Sequence, residues 1–106
     1  MFHLTWSATE KKVARRVFDA ALAAELAEIM VEFKAKAAAV AEPDEMWPIQ
    51  EYLDRKRREI NLKYDYRYSQ LLTLFGRLLA EGRIQQTQLD GLSEEKLAYI
   101  RLIASP

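Results

Sequence analysis

From Ser7 to Glu42 the chain contains neither glycine nor proline. Alanine, leucine, glutamate, lysine, arginine and methionine dominate that stretch, and all favour helix in their own right. Ser7-Ala8-Thr9-Glu10 has the S-x-x-E form of a capping box, in which the serine oxygen takes a free amide and the glutamate reaches back. The spacing therefore predicts one helix from Ser7 to about Ala41, roughly 50 Å long at 1.5 Å per residue. Val13, Val17, Leu22, Leu26, Ile29, Phe33, Ala37 and Val40 form its apolar stripe. Residues Met1 to Trp6 read as a loose lead.

Glu42-Pro43-Asp44 is the first break, because proline cannot continue a helix and restricts the residue before it. Asp44 is the expected N-cap of a second helix, and Pro48 falls in its first turn, where a missing N–H costs little. That helix is expected to run from about Glu45 to about Ala80. Any bend would fall between Asn61 and Tyr68. Gly82 is placed to end it in the left-handed conformation. Beyond it, Thr87 can cap a single turn through Leu89, Gly91 interrupts the chain, and Ser93 caps a last helix from Glu94 to about Ala104. Nothing in the pattern signals a strand. The expected fold is all-α: a long two-helix hairpin with a small C-terminal helical cap, forming a single helical domain over residues 1–106.

Residues 46–75 are dense in aromatics and charge. Ile49, Leu53, Ile60, Tyr64, Leu71, Phe75 and Leu78 make an apolar stripe. Trp47, Gln50, Glu51, Asp54, Arg57, Arg58 and Asn61 project from the other side, with Arg57 and Glu51 expected within reach of the Trp47 ring. Tryptophan and arginine are enriched in the cores of binding interfaces, although a tryptophan at a helix start can also pack on the preceding loop. The run Arg55 to Glu59 reads as a solvated face with helix-supporting pairs. Phe18, Met30, Tyr52 and Leu72 fall off the main stripes. Two hairpins pairing into a bundle would cover them, so a homodimer is expected.

Composition narrows the function. Sixteen basic residues balance sixteen acidic ones over 106 residues, which leaves no overall electrostatic footprint for nucleic acid. A nucleic-acid-binding hairpin using Arg55 to Arg58 is the remote alternative. With no cysteine, disulfides and thiolate metal sites are excluded, and the single histidine, His3, lies in the lead. No nucleophile–base pair, glycine-rich phosphate loop or carboxylate pair in a pocket is legible, so neither catalysis nor a cofactor nor a metal is expected. No run is long and apolar enough to span a bilayer, and no signal peptide is seen at the start. The expected location is the cytoplasm.

The central stretch resembles the fluorescence recovery protein family of cyanobacteria. The likeness rests on Trp47-Pro48-Ile49-Gln50-Glu51-Tyr52-Leu53, Lys56-Arg57-Arg58-Glu59-Ile60-Asn61 and Lys63-Tyr64-Asp65. Phe75, Leu78 to Gly82 and the Leu89, Leu92, Lys96 spacing continue it. The resemblance implies a non-enzymatic, all-helical homodimer. Such a dimer would bind the photoactivated orange carotenoid protein, chiefly through that protein's C-terminal domain, and speed its return to the resting state. It would thereby end non-photochemical quenching at the phycobilisome. It also implies that the family's tryptophan and functional arginine fall at Trp47 and Arg57. Gln50 stands at the family's histidine, Glu51 at its aspartate, Thr73 at a partner-contacting aromatic and Tyr99 at a lysine. The candidate partner or dimer contacts are thus Trp47, Gln50, Glu51, Asp54, Arg57, Thr73, Phe75 and Tyr99. The alternative is a dimer built on the same scaffold with a different partner.

Overall fold

Four α-helices carry the described residues, 5–106, of the computed structural model: α1 (Ala8–Ala38), α2 (Met46–Lys63), α3 (Tyr68–Ala80) and α4 (Glu94–Ala104). Two short 3-10 turns, Pro43–Glu45 and Gln86–Leu89, complete the element list. His3 lies outside the described residues. The chain forms two compact units: a terminal unit, made of the residues up to Ala21 together with Asp65–Pro106, and a middle unit, Leu22–Tyr64.

The capping box forms as the sequence indicates. The Ser7 N–H donates to Glu10 Oε1 at 2.9 Å, and the Glu10 N–H donates to Ser7 Oγ at 3.1 Å. Glu10 does more than cap. Its Oε2 accepts from the Ser93 N–H at 2.8 Å. Lys96 Nζ lies 3.1 Å from the same oxygen and donates to Oε1 at 3.2 Å. Ser93 is itself the N-cap of α4, its Oγ accepting from the Lys96 N–H at 3.3 Å. One buried carboxylate therefore joins the starts of the first and last helices. Lys96 Nζ also donates to the Thr5 carbonyl at 2.6 Å and sits 4.9 Å from the Trp6 ring centre. Thr5 and Trp6 are thereby tied down, contrary to the loose lead expected there.

The rest of the terminal unit is a conventional apolar core. Val17 of α1, Leu71, Phe75 and Leu78 of α3, Leu89 and Ile100 are fully buried. The backbones of α3 and α4 approach closely at Gly76, where a Cβ would overlap the Ile103 side chain and stand 3.1 Å from the Ile100 carbonyl. At Gly82, φ is +74°. The Arg83 N–H donates to the Leu78 carbonyl at 2.9 Å and the Gly82 N–H to that of Leu79 at 3.1 Å, a complete Schellman termination.

Three local expectations change. The long second helix is two helices, α2 and α3, separated at residues 64–67. The Tyr64 hydroxyl donates to Glu25 Oε1 at 2.7 Å, whereas the Tyr66 ring stands edge-on to Phe18 at 4.9 Å. In an unbroken helix those two side chains would point about 200° apart, and seating each ring in its own unit outweighs helix continuity. Asp65 accepts two 2.9 Å bonds from Arg67 Nε across the break, and this hydrogen bonding holds its carboxyl below the usual range.

The cap after the first break is not Asp44. The Glu45 carboxylate takes the Ala41 and Glu42 amides at 2.9 and 2.6 Å, because Pro43–Glu45 forms a 3-10 turn before α2 begins. Likewise the Gln85 N–H donates to Gln88 Oε1 at 2.7 Å, and this pair, not Thr87, starts the second 3-10 turn. The four off-stripe residues do not all need a dimer to cover them. Phe18, Tyr52 and Leu72 are buried within the single chain, and only Met30, at 52% exposure, is left uncovered.

Burial would raise the Glu10 pKa, but the Ser7 and Ser93 amides and the Lys96 ammonium outweigh it and lower the value from 4.5 to about 2. A carboxylate with a depressed folded pKa contributes stability that is whole above its ordinary pKa and is lost as pH falls through the folded one. The contribution is therefore full above about pH 4.5 and gone near pH 2. Lys96→Ala, which strands Glu10, should cost about 3–5 kcal/mol at neutral pH. Thermal melts across pH 7 to 2 should show that deficit shrink as Glu10 protonates. Gly76→Ala should cost about 1–3 kcal/mol through overpacking between α3 and α4, read as a lower urea midpoint with unchanged helicity.

Candidate functional site

The middle unit is a helix pair with little to bury. Among the described residues, the only buried apolar side chains it contributes are Tyr52 and Tyr64; the remainder of the core belongs to the terminal unit. Leu26, Met30, Val31, Met46, Trp47 and Leu62 are all exposed on it. Large apolar side chains left exposed in such number point to an interaction surface.

Met46 and Trp47 of this set line an open groove of about 480 Å³. Phe33, Ala37 and Val40 line one wall. Met46, Trp47, Ile49, Gln50 and Leu53 line the other. The amphipathic pattern explains the placement: Met46, Ile49, Gln50 and Leu53 recur at spacings of three and four on α2. Trp47 joins them because it sits in the first turn, beside the 3-10 turn that brings the chain back. Trp47 is thus the rim of an apolar groove and not a member of a separate charged face. Its 59% exposure shows that local packing does not consume the ring.

Arg57 does not flank that ring. Ten helical residues separate the two by about 15 Å along the axis, and Arg57 instead lies 3.9 Å from Asp54. Lys56 and Glu59 pair at 3.5 Å, so the charged run is a solvated face carrying helix-supporting pairs. Exposed pairs of this kind contribute about 0–1 kcal/mol each. Glu51 is exposed and Asp54 half-buried.

The base of the middle unit is held by a buried ionic contact. Lys63 Nζ donates to Glu25 Oε1 at 2.9 Å, the same oxygen that accepts from Tyr64. Tyr52 is buried among cations, with Lys36 Nζ 4.9 Å and Arg55 5.7 Å from its ring centre. Burial, reinforced by the nearby Glu32 carboxylate, pushes its hydroxyl pKa up.

The remaining candidates lie in the terminal unit. Thr73 of α3 is exposed and Tyr99 of α4 half-buried. Phe75 has 0% exposure. It offers no atom to a partner and is a core residue, as its place on the apolar stripe already required. The structure thus brings Trp47 and Gln50 together on the groove, spreads Glu51, Asp54 and Arg57 along α2, and places Thr73 and Tyr99 in a different unit. Sequence reasoning missed Met46 as a contact candidate, although its apolar character next to Trp47 was visible. It placed Phe33, Ala37 and Val40 on an apolar stripe, and periodicity cannot tell a covered stripe from an uncovered one. Among the described residues no group of histidine, cysteine, aspartate or glutamate side chains is arranged to hold a metal ion. No described helix is long and apolar enough to cross a membrane.

An all-helical chain with an uncovered apolar groove in its middle unit is matched by known proteins. The family described as photoprotection regulator fluorescence recovery protein matches residues 6–104. The chain belongs to the fluorescence recovery protein family. It is 33% identical over 99 residues to the fluorescence recovery protein of Synechocystis sp. (strain PCC 6803), covering 93% of this chain and 91% of that one. The solved structure of the fluorescence recovery protein from Fremyella diplosiphon superposes with a TM-score of 0.87 at 32% identity, over 94% of this chain and 98% of that one. The structure from Synechocystis gives the same TM-score at 33% identity, with the same coverage. The match spans residues of both units, α1 included. As a member of this family the protein is a photoprotection regulator with an all-helical fold.

Because Trp47 is mostly exposed, Trp47→Ala should leave the thermal midpoint of the monomeric fold nearly unchanged. It should weaken any association through the groove by about 2 kcal/mol or more, as a central aromatic contact does. Sedimentation equilibrium and circular dichroism melts on the same samples separate the two effects.

Proposed function

We propose that this protein is a non-enzymatic regulator that forms a homodimer and binds the photoactivated orange carotenoid protein, chiefly its C-terminal domain. By doing so it speeds that protein's return to the resting state and ends quenching at the phycobilisome. It would work in the cytoplasm. The family match over residues 6–104 carries this reading, and the uncovered groove at Trp47 supplies a surface of the right kind. A binder shifts an equilibrium only through differential affinity. The protein must therefore hold the resting state, or the path to it, more tightly than the activated one. Trp47, Gln50, Glu51, Asp54 and Arg57 on α2 are the contacts proposed for the dimer or the partner, with Thr73 and Tyr99 as contacts from the terminal unit.

The test is dark recovery of photoactivated orange carotenoid protein, followed by absorbance with and without a molar excess of this protein. Acceleration is expected. An unchanged rate, with helicity and dimerisation confirmed in the same sample, overturns the partner assignment and favours a different partner on the same scaffold.

A further inference from the structure

The terminal unit carries a basic patch that the groove and its contacts leave unused. Lys11, Lys12, Arg15 and Arg16 are exposed on α1, while Val13 and Ala14 between them are buried. Together with Tyr66 and Tyr68 they line a second open groove, of about 420 Å³.

Two observations distinguish this patch from an ordinary solvated helix face. The first is its pairing. Elsewhere on the surface most basic groups sit beside carboxylates, as Lys36 with Glu32 at 3.9 Å, Lys56 with Glu59 at 3.5 Å, Arg77 with Glu81 at 3.0 Å and Arg101 with Glu94 at 2.8 Å, while among the described residues Lys34, Arg55 and Arg58 do not. In the patch only Arg15 has an acid, Asp19 at 3.3 Å. Among the described residues, Lys11, Lys12 and Arg16 pair with no carboxylate. Glu10, the acid next in sequence, is consumed by Ser7, Ser93 and Lys96.

The second observation is the floor. The rings of Trp6, Tyr68, Tyr66 and Phe18 follow one another at centroid distances of 5.1, 5.8 and 4.9 Å. The Arg15 guanidinium lies 3.6 Å from the Tyr66 ring centre, and Lys11 Nζ is 5.7 Å from that of Tyr68. A guanidinium stacked on a ring keeps its N–H edge free for a carboxylate while losing little conformational freedom. The positive end of α1 adds to the same field.

We propose that this patch is a docking site for an acidic segment, rich in aspartate and glutamate, of the protein's partner. It rests on the reading above only in taking the partner to be a protein. Charge complementarity selects the occupant. The four cations span about 7.5 Å of helix, enough for a few carboxylates but short for a phosphate backbone. Arg15 covers the Tyr66 face on which a base would stack, and the chain as a whole has no net charge to hold a long polyanion.

The test uses a fluorescein-labelled hexaglutamate peptide, titrated with the full chain and read by anisotropy. Saturable binding is expected at about 20 mM salt and its loss at about 0.5 M, where the Debye length is a few Å. Lys12→Glu and Arg16→Glu, at exposed positions away from the core, should each weaken binding about tenfold. Lys34→Glu, an equal charge change on the same helix outside the patch, should leave it unchanged. Absence of saturable binding overturns the proposal, as does an equal loss in Lys34→Glu or tighter binding of a labelled oligothymidylate of the same charge. The recovery assay with the same variants separates the two readings. If wild-type protein accelerates recovery and Arg16→Glu does so equally, the patch is overturned and the regulatory function stands. Peptide binding without acceleration of recovery supports the patch and overturns the choice of partner.

Discussion

The carboxylate of Glu10 is the interaction on which the terminal unit depends. It meets four demands at once: the amide of Ser7, the amide of Ser93, the ammonium of Lys96 and the start of α1. A buried charge is tolerable only when it is fully paired and hydrogen-bonded, so removing any one partner makes the others costly. The arrangement also sets register. Two N-caps far apart in sequence can share one carboxylate only if α1 and α4 start at the same place. Val13, Val17, Phe75 and Ile100 are all buried in the unit so registered. A purely apolar contact would tolerate sliding, whereas this one does not.

The two units solve the same problem differently. The terminal unit covers its apolar side chains from four directions, with α1, α3, α4 and the loop between residues 81 and 93. The middle unit has only the second half of α1 and α2 to work with, and two helices side by side cannot close a core. Its internal order rests on Lys63, Tyr64 and Glu25 at one end and on the Glu45 cap at the other. Between them lies the groove with Trp47. A regulator that acts by binding requires one surface that holds its shape and another left uncovered, and this chain provides both.

Local signals in the sequence translated well into structure. Ser7-Ala8-Thr9-Glu10, Gly82 and Ser93 each formed the termination or cap that their chemistry dictates, because those contacts lie within one turn. What was not legible depended on partners distant in sequence. The S-x-x-E pattern announced a capping box but not that the same glutamate would receive Ser93 and Lys96. The aromatics Tyr64 and Tyr66 marked a weak point, but the break there follows from Glu25 and Phe18 drawing them apart. At the candidate site, Trp47 was read from residue type and Gln50 from its place on the helix, and both line the groove. Phe75 is buried, which its position in a motif did not reveal, and the stripe that holds Phe33 and Val40 carried no sign of whether it is covered.

The thin coverage of the middle unit has a consequence for how the protein behaves at different abundances. A segment that buries so little within its own chain gains further stability by mass action, growing with the logarithm of the concentration of whatever covers it. A second copy and a regulatory partner that both sought the Trp47 groove would compete for a single resource. Occupancy by one would then be a measure of the scarcity of the other. Such a surface reads stoichiometry, and its folding free energy is shared with its surroundings.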